Sequence, residues 1–214
     1  TLCYSFSYSY LWTKIFNGNS KTIDADGNET RYFYNDRGQP EIIIDPTGQK
    51  RLLQWAPNGK LLRQVHEQGE PVSYEYDSAG HISAVEQGGR TTRYRYNRKG
   101  DVTAIHYPDG SAAQLQYNAN RQITAYTDPL GRTTRFEYDG LAQIVRRIDA
   151  AGNTLHYRYD RERNLIGLIN EKGEHYQLRY DANERLIAEI GFDGRVQQYQ
   201  YNPLGQLIAH IEGH

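Results

Sequence analysis

Gly89-Arg90-Thr91-Thr92-Arg93-Tyr94-Arg95-Tyr96-Asn97 is the stretch on which the fold turns. Glycine opens it and Tyr-Asn closes it. Strict alternation puts Thr92, Tyr94 and Tyr96 on one face of an extended segment and Arg93 and Arg95 on the other. β-branched and aromatic side chains suit a pleated, half-buried strand. Gly and Asn tolerate the backbone of tight turns. The stretch therefore reads as turn, strand, turn.

Outward from it, the same unit recurs along the chain. Aromatic-x-Tyr followed by Asn or Asp returns as Tyr32-Phe33-Tyr34-Asn35, Tyr74-Glu75-Tyr76-Asp77, Phe136-Glu137-Tyr138-Asp139, Tyr157-Arg158-Tyr159-Asp160 and Tyr199-Gln200-Tyr201-Asn202. Leu115-Gln116-Tyr117-Asn118 and Leu178-Arg179-Tyr180-Asp181 are weaker copies, and Gln54-Trp55-Ala56-Pro57-Asn58 is a degenerate one. The second aromatic falls at 34, 55, 76, 96, 117, 138, 159, 180 and 201, giving seven intervals of 21 residues and one of 20. Thirteen of the 19 tyrosines lie in this motif.

Between the tyrosines runs a second signal in the same phase. Turn clusters end at Gly27, Gly48, Gly69, Gly89, Gly110, Gly131, Gly152, Gly173 and Gly194, with Asp45-Pro46-Thr47-Gly48 and Asp128-Pro129-Leu130-Gly131 as clear copies. A further turn follows Tyr-Asn/Asp. There Gly38, Gly59, Gly80, Gly100 or Gly205 gives way in other copies to Arg121, Ala142, Arg163 or Glu184, so this turn reads as the more permissive one. The polar residue between the aromatics (Glu75, Arg95, Gln116, Glu137, Arg158, Arg179, Gln200) predicts a wet face for the first strand. In the second strand Leu186, Ala188 and Ile190 alternate like one apolar face, but Ile208 and His210 or Val145 and Arg147 make the opposite face mixed. Inside and outside stay open for that strand. Helix is excluded by turn residues every seven to ten positions and by the missing i, i+3, i+4 apolar spacing.

Composition agrees. The chain has 19 Tyr and 20 Gly, no Met, a mean hydropathy of -0.84 and a net charge of -1. Such polarity suits a thin sheet with little interior, and the charge suggests no nucleic acid partner. No stretch approaches the roughly 18–20 apolar residues of a membrane span. Cys3 is the single cysteine, so no internal disulfide is expected. A chain starting without Met, with neither a basic start nor an apolar run, reads as a processed piece or a segment of a longer protein. Residues 1–21 read as an irregular lead-in, with Tyr4, Phe6, Tyr8 and Tyr10 as one further strand, and residues 22–214 as an array of about nine hairpins.

No catalytic, cofactor-binding or metal-binding set is expected. The histidines are scattered over different repeats. Asp24-Ala25-Asp26-Gly27-Asn28-Glu29 imitates a calcium loop, but its glycine comes after two alternating ligands rather than three and is in phase with the turns. The alternation of Arg with Tyr could stack on bases or sugars. Carboxylates fill the same slots in neighbouring repeats, so cross-strand ion pairs and cation–π contacts between hairpins explain it better. The structural residues singled out are Tyr32, Tyr34, Tyr74, Tyr76, Tyr94, Tyr96, Tyr117, Phe136, Tyr138, Tyr157, Tyr159, Tyr180, Tyr199 and Tyr201, with Gly48, Gly110, Gly131, Gly152, Gly173 and Gly194. Each tyrosine is expected beside its counterpart in the next hairpin, forming ladders.

Residues 89–97, and Asp-Pro-Leu-Gly-Arg-Thr-Thr-Arg-Phe-Glu-Tyr-Asp at 128–139, resemble the YD repeats of Rhs proteins, over nearly the whole array. The resemblance implies an all-β fold of tandem YD-repeat β-hairpins forming a curved, spiralling sheet, a segment of a hollow shell. Related repeats occur in insecticidal toxin-complex C proteins and teneurins. It implies enclosure of a C-terminal toxin domain for delivery by a bacterial effector. The partners would be the remainder of the shell, the toxin and secretion-apparatus proteins, and the location the bacterial cytoplasm before export to a target cell. Rhs shells end in an Asp-Pro-x-Gly-Leu-type cleavage motif, whereas here Gly131 precedes Arg132 and Gly48 precedes Gln49, so both clusters read as ordinary turns. Eighteen strands at about 4.8 Å would close into a ring only about 27 Å across, too small for a cargo domain of roughly 35 Å. The array thus reads as part of a larger wall, or as a chain that self-associates through its edge strands. The alternative is a cell-surface module that binds glycan or a partner protein through an exposed Tyr/Arg face.

Overall fold

The computed structural model describes residues 14–16 and 19–213. Every regular element among them is a β-strand, and the chain divides into two units at Gly110. The first unit holds β1 (Lys14–Phe16), β2 (Asn19–Ile23), β3 (Glu29–Tyr34), β4 (Pro40–Ile44), β5 (Lys50–Trp55), β6 (Leu61–His66), β7 (Val72–Tyr76), β8 (Ile82–Gln87), β9 (Arg90–Tyr96) and β10 (Val102–His106). The second holds β11 (Ala112–Tyr117), β12 (Ile123–Thr127), β13 (Thr133–Tyr138), β14 (Ile144–Ile148), β15 (Thr154–Tyr159), β16 (Leu165–Ile169), β17 (His175–Tyr180), β18 (Leu186–Ile190), β19 (Val196–Tyr201) and β20 (Leu207–Gly213).

Within each unit every strand pairs antiparallel with its neighbour in sequence, so each unit is a single-layer meander. One layer has two wet faces and hence almost no core. Among the described residues the buried apolar side chains are Ile43, Ala84, Ala113 and Ala125, and no large one is fully enclosed. That is the physical counterpart of the polar composition. Tyr4, Phe6, Tyr8 and Tyr10 lie outside the described residues. Part of the predicted lead-in is ordered strand, because β1 pairs with β2 and β2 with β3.

Both kinds of turn share one geometry, a three-residue loop built on a type I turn with a left-handed last residue. At Asp149 the Gly152 amide donates to the Asp149 carbonyl at 3.1 Å, and the Asp149 amide donates to Asn153 O at 3.0 Å. At Asp139 the Ala142 amide donates to Asp139 O at 3.2 Å, and the Asp139 amide to Gln143 O at 2.9 Å. The second turn is permissive in residue but not in backbone conformation. Arg121, Ala142, Arg163 and Glu184 replace glycine yet keep φ of 66°, 71°, 73° and 61°. A Cβ in that region costs about 1–2 kcal/mol. Ala142→Gly is accordingly expected to stabilise the chain by about 1 kcal/mol in denaturant unfolding, since Ala142 is exposed and loses no packing.

The single 20-residue interval has a local cause. Gln87 pairs with Arg90, leaving a two-residue loop of Gly88 and Gly89, with φ of 57° and 74°. This is the primed turn that needs two left-handed residues, and it is one residue shorter than its relatives. Gly69 differs too. It is absent from the left-handed residues, and the β6–β7 pairing it joins holds only two register pairs.

A β-bulge near the start of every even strand from β4 to β20 settles the faces of the second strand. Tyr180 opposes Leu186, but Arg179 opposes Ala188, which leaves Ile187 as the extra residue. The extra residue is Val145 in β14, Ile166 in β16 and Ile208 in β20. The bulge breaks the two-residue period. Leu186 therefore shares the tyrosine face while Ala188 and Ile190 lie on the other, and the single apolar face suggested by their alternation does not form.

Candidate functional site

The recurring chemical unit is the second aromatic of each repeat and the strand start it reaches. Alternation carries Tyr159 to the tyrosine face at the end of β15. There the hairpin pairing brings it beside the bulge of the preceding hairpin, and its hydroxyl donates to Ile144 O at 2.9 Å. The same bond links Tyr76 to Leu61 O, Tyr96 to Ile82 O, Tyr138 to Ile123 O, Tyr180 to Leu165 O and Tyr201 to Leu186 O, at 2.7–2.9 Å. Trp55, from the degenerate copy, preserves it with its indole N–H on Pro40 O at 2.7 Å. Tyr34 instead meets the Ser20 hydroxyl at 2.8 Å. Seven rings thus tie one hairpin to the hairpin before it through a carbonyl at the bulged strand start.

Three of the rings are covered by turn side chains of that preceding hairpin. Lys60 lies over Tyr76 at 4.8 Å, Arg185 over Tyr201 at 4.9 Å, and His81 stacks on Tyr96 at 4.7 Å. In these three contacts the ring meets a turn residue of the preceding hairpin. Partial burial raises the hydroxyl pKa of Tyr76, Tyr96, Tyr138, Tyr159 and Tyr180. The covering residues carried no recognisable motif. Their signal is positional, the residue that directly precedes the second strand.

The first aromatics sit at mid-strand on the same face. Tyr94 opposes Ile105, Phe136 opposes Arg147, Tyr157 opposes Leu168 and Tyr199 opposes His210. Tyr74 accepts from Gln64 Nε2 at 2.9 Å, and Tyr32 stacks along its own strand with Tyr34 at 6.4 Å. Tyr117 lies opposite Ile123. Gly48, Gly110, Gly131, Gly152, Gly173 and Gly194 all take left-handed φ, from 78° to 88°, in the inter-hairpin loops.

The opposite face is polar and exposed at Glu75, Arg95, Gln116, Glu137, Arg158, Arg179 and Gln200, whereas Phe33 in the first copy is apolar and half-buried. The small central residues of this face have a clear purpose. Ala84 opposes Glu75 on one side and Arg93 on the other, and those two side chains pair above it at 3.4 Å. Ala84 is left only 1% exposed. Aliphatic stems of charged residues cover the sheet while their ends stay in water. Where arginine replaces the small residue, Arg146 pairs directly with Glu137 at 3.1 Å. Exposed pairs of this kind contribute about 0–1 kcal/mol, so shielding of the sheet is their larger role.

Turn carboxylates are occupied by their own loops. Asp24 Oδ1 accepts the amides of Asp26 and Asn28 at 3.0 and 2.9 Å, and its other oxygen takes Asn28 Nδ2. This loop is a hydrogen-bonded turn, and among the described residues no cluster of three His, Cys, Asp or Glu side chains could hold a metal. Cys3 lies outside the described residues. No helix among the described residues is long and apolar enough to cross a membrane.

Side-chain hydrogen bonds from Asn28, Thr47, Asn153 and Arg185 hold Asp24, Asp45, Asp149 and Asp181 below the usual carboxylate range. A carboxylate depressed in the folded chain stabilises above its unfolded pKa and loses that contribution as pH falls through the folded value. The raised tyrosines behave oppositely. Their contribution is full below about pH 10, the unfolded value, and is lost as pH rises through the higher folded value. The melting temperature is therefore expected to stay level near neutrality, to fall below about pH 4 and to fall again above about pH 10. A melting temperature unchanged between pH 7 and pH 3 would show that the turn carboxylates contribute nothing.

The family model described as Teneurin YD-shell matches residues 34–213. No curated protein matches the chain. Among solved structures, the complexes TcdB2-TccC3 and TcdB2-TccC3-Cdc42 each align with a TM-score of 0.58 at 16% identity, covering 89% of this chain. The Photorhabdus luminescens Tc holotoxin pore aligns equally well at 15% identity. This chain spans 13% of the length of each of these structures. The match covers the whole array from the second aromatic of the first repeat onward, and the chain belongs to the YD-shell family of Rhs-type repeats.

Proposed function

We propose that this chain is a wall segment of a shell that encloses a C-terminal toxin domain in an Rhs-type polymorphic toxin, made in the bacterial cytoplasm and delivered to a target cell. The carrying observation is the YD-shell match over residues 34–213, on a sheet whose successive hairpins are linked by the tyrosine bonds. A wall needs rigid, continuous backbone and no chemistry of its own, and these residues are spent on turns and inter-hairpin bonds. Its partners would be the remaining shell and the enclosed toxin, with secretion-apparatus proteins handling the assembled particle. The β20 strand leaves Leu207, Ile208 and Ile211 exposed, which suits continued pairing with a further hairpin.

The recognition-module reading needs tyrosine and strand arginine on one surface. In β9 they part, with Arg93 and Arg95 exposed on one face and Tyr94 and Tyr96 half-buried on the other. Limited proteolysis of the full parent protein tests enclosure. Its C-terminal domain should resist digestion in the intact protein and be cut readily when expressed alone. Equal digestion rates would overturn the reading.

A further inference from the structure

Three side chains of the second unit depart from the repeat and meet on the tyrosine face. Four residues before the second aromatic stand Thr92, Thr134 and Leu155 in other copies, but Tyr176 in β17. Opposite the first position of the motif stand Ile105, Leu168, Arg147 and His210, but the carboxylate Glu189 in β18. The first loop residue is Pro46, Pro129 or Ala150 elsewhere, but Phe192 here. Whatever the repeat needs for folding, it does without these three residues in other copies, so their convergence calls for another reason.

The Tyr176 hydroxyl donates to Glu189 Oε2, and the Tyr199 hydroxyl lies 2.8 Å from Glu189 Oε1 and 3.0 Å from Oε1 of Gln197, the residue opposite Glu189 in β19. Phe192 meets Tyr176 edge-on at 5.6 Å, and His210 lies flat on Tyr199 at 5.0 Å. Hydrogen bonding to Glu189 pushes the Tyr176 hydroxyl up to about 12. Strand carboxylates of the other face have arginine partners, Glu75 with Arg93 and Glu137 with Arg146, whereas among the described residues no ion pair involves Glu189.

A carboxylate offers about four acceptor positions. One hydroxyl on each oxygen leaves acceptor capacity on both oxygens, which a guanidinium can use through two of its N–H groups. Aromatic faces around it favour a cation further. We propose that Glu189, flanked by Tyr176, Phe192 and Tyr199, is a docking site for one arginine side chain of a partner polypeptide. The site is an open patch of sheet rather than a cleft. It suits a group held in place by the rest of a bound chain. This inference stands apart from whether the wall encloses a toxin.

The test is NMR titration of the 214-residue chain with N-acetyl-arginine methylamide, read at the ring resonances of Tyr176, Phe192 and Tyr199. Saturable shifts are expected, weakened at least about tenfold by Glu189→Gln and absent with the neutral citrulline analogue. Equal binding by Glu189→Gln, or equal shifts from citrulline, would overturn the site. Equal binding of the lysine analogue would overturn the guanidinium assignment. Should Glu189→Gln not fold, Phe192→Ala at the exposed loop serves in its place. It must weaken binding severalfold, and unchanged affinity sinks the proposal.

Discussion

Tyr159→Ala is expected to destabilise the chain by about 3 kcal/mol, below the top of the range for aromatic truncation because the ring is only half-buried. Two contributions are lost together. The ring leaves the tyrosine face beside Leu165, which it opposes in register, and Ile144 O loses its hydroxyl donor. Tyr159→Phe separates them, since it keeps the ring and removes only the 2.9 Å hydrogen bond, at about 1 kcal/mol. Repeat arrays are held by nearest-neighbour interfaces. Native-state hydrogen exchange should therefore show protection falling most in β14 to β16 and least in β19 and β20. Uniform loss across the second unit, or no loss of stability in the alanine variant, would show that the tyrosine bond does not join the hairpins.

Gly152→Val should cost about 2 kcal/mol, the second largest effect. Gly152 sits at φ 88° with nothing within 4 Å of an added Cβ, so the penalty is conformational and not steric crowding. Valine is the stringent choice because a β-branched residue tolerates left-handed backbone poorly. The turn should survive, because Asp149 Oδ1 still accepts the amides of Ala151 and Asn153, each at 2.9 Å. The expected signature is a lower unfolding midpoint with an unchanged denaturant slope. Ala142→Gly in the equivalent loop should shift the midpoint the other way, so the pair forms an internal control. Matching shifts of the same sign in both variants would rule out the left-handed residue as the cause.

Much of the architecture was legible before folding. Aromatic-x-Tyr-Asn/Asp at a fixed interval marks odd strands, and in-phase glycines mark the loops, because turn chemistry and strand alternation are local. Trp55 shows where that legibility stopped. It breaks the Tyr pattern, but its indole N–H makes the same bond to the preceding hairpin. The ring-plus-donor chemistry was preserved while the letter changed. The missing residue of the 20-residue interval was visible in the chain, but its cause lay in the Gly88-Gly89 loop that pairs Gln87 with Arg90.

The strand-two faces were the failure, and the reason is general. A two-residue period predicts faces only while the pairing is regular, and a bulge inserts one residue without any fixed side-chain signature. Leu186-Ile187-Ala188 therefore reads as alternation but folds with Leu186 opposite Tyr180 and Ala188 opposite Arg179. Likewise Ala142 reads as tolerance and folds as strain, since φ is a property of the closed loop rather than of the residue. Spacing was enough to establish hairpins, their phase and the polar face of the first strand, since each depends on neighbours a few residues apart. Which carbonyl each tyrosine reaches, which residue covers its ring, and how Tyr176, Glu189 and Phe192 come together depend on register between strands, which exists only in the folded chain.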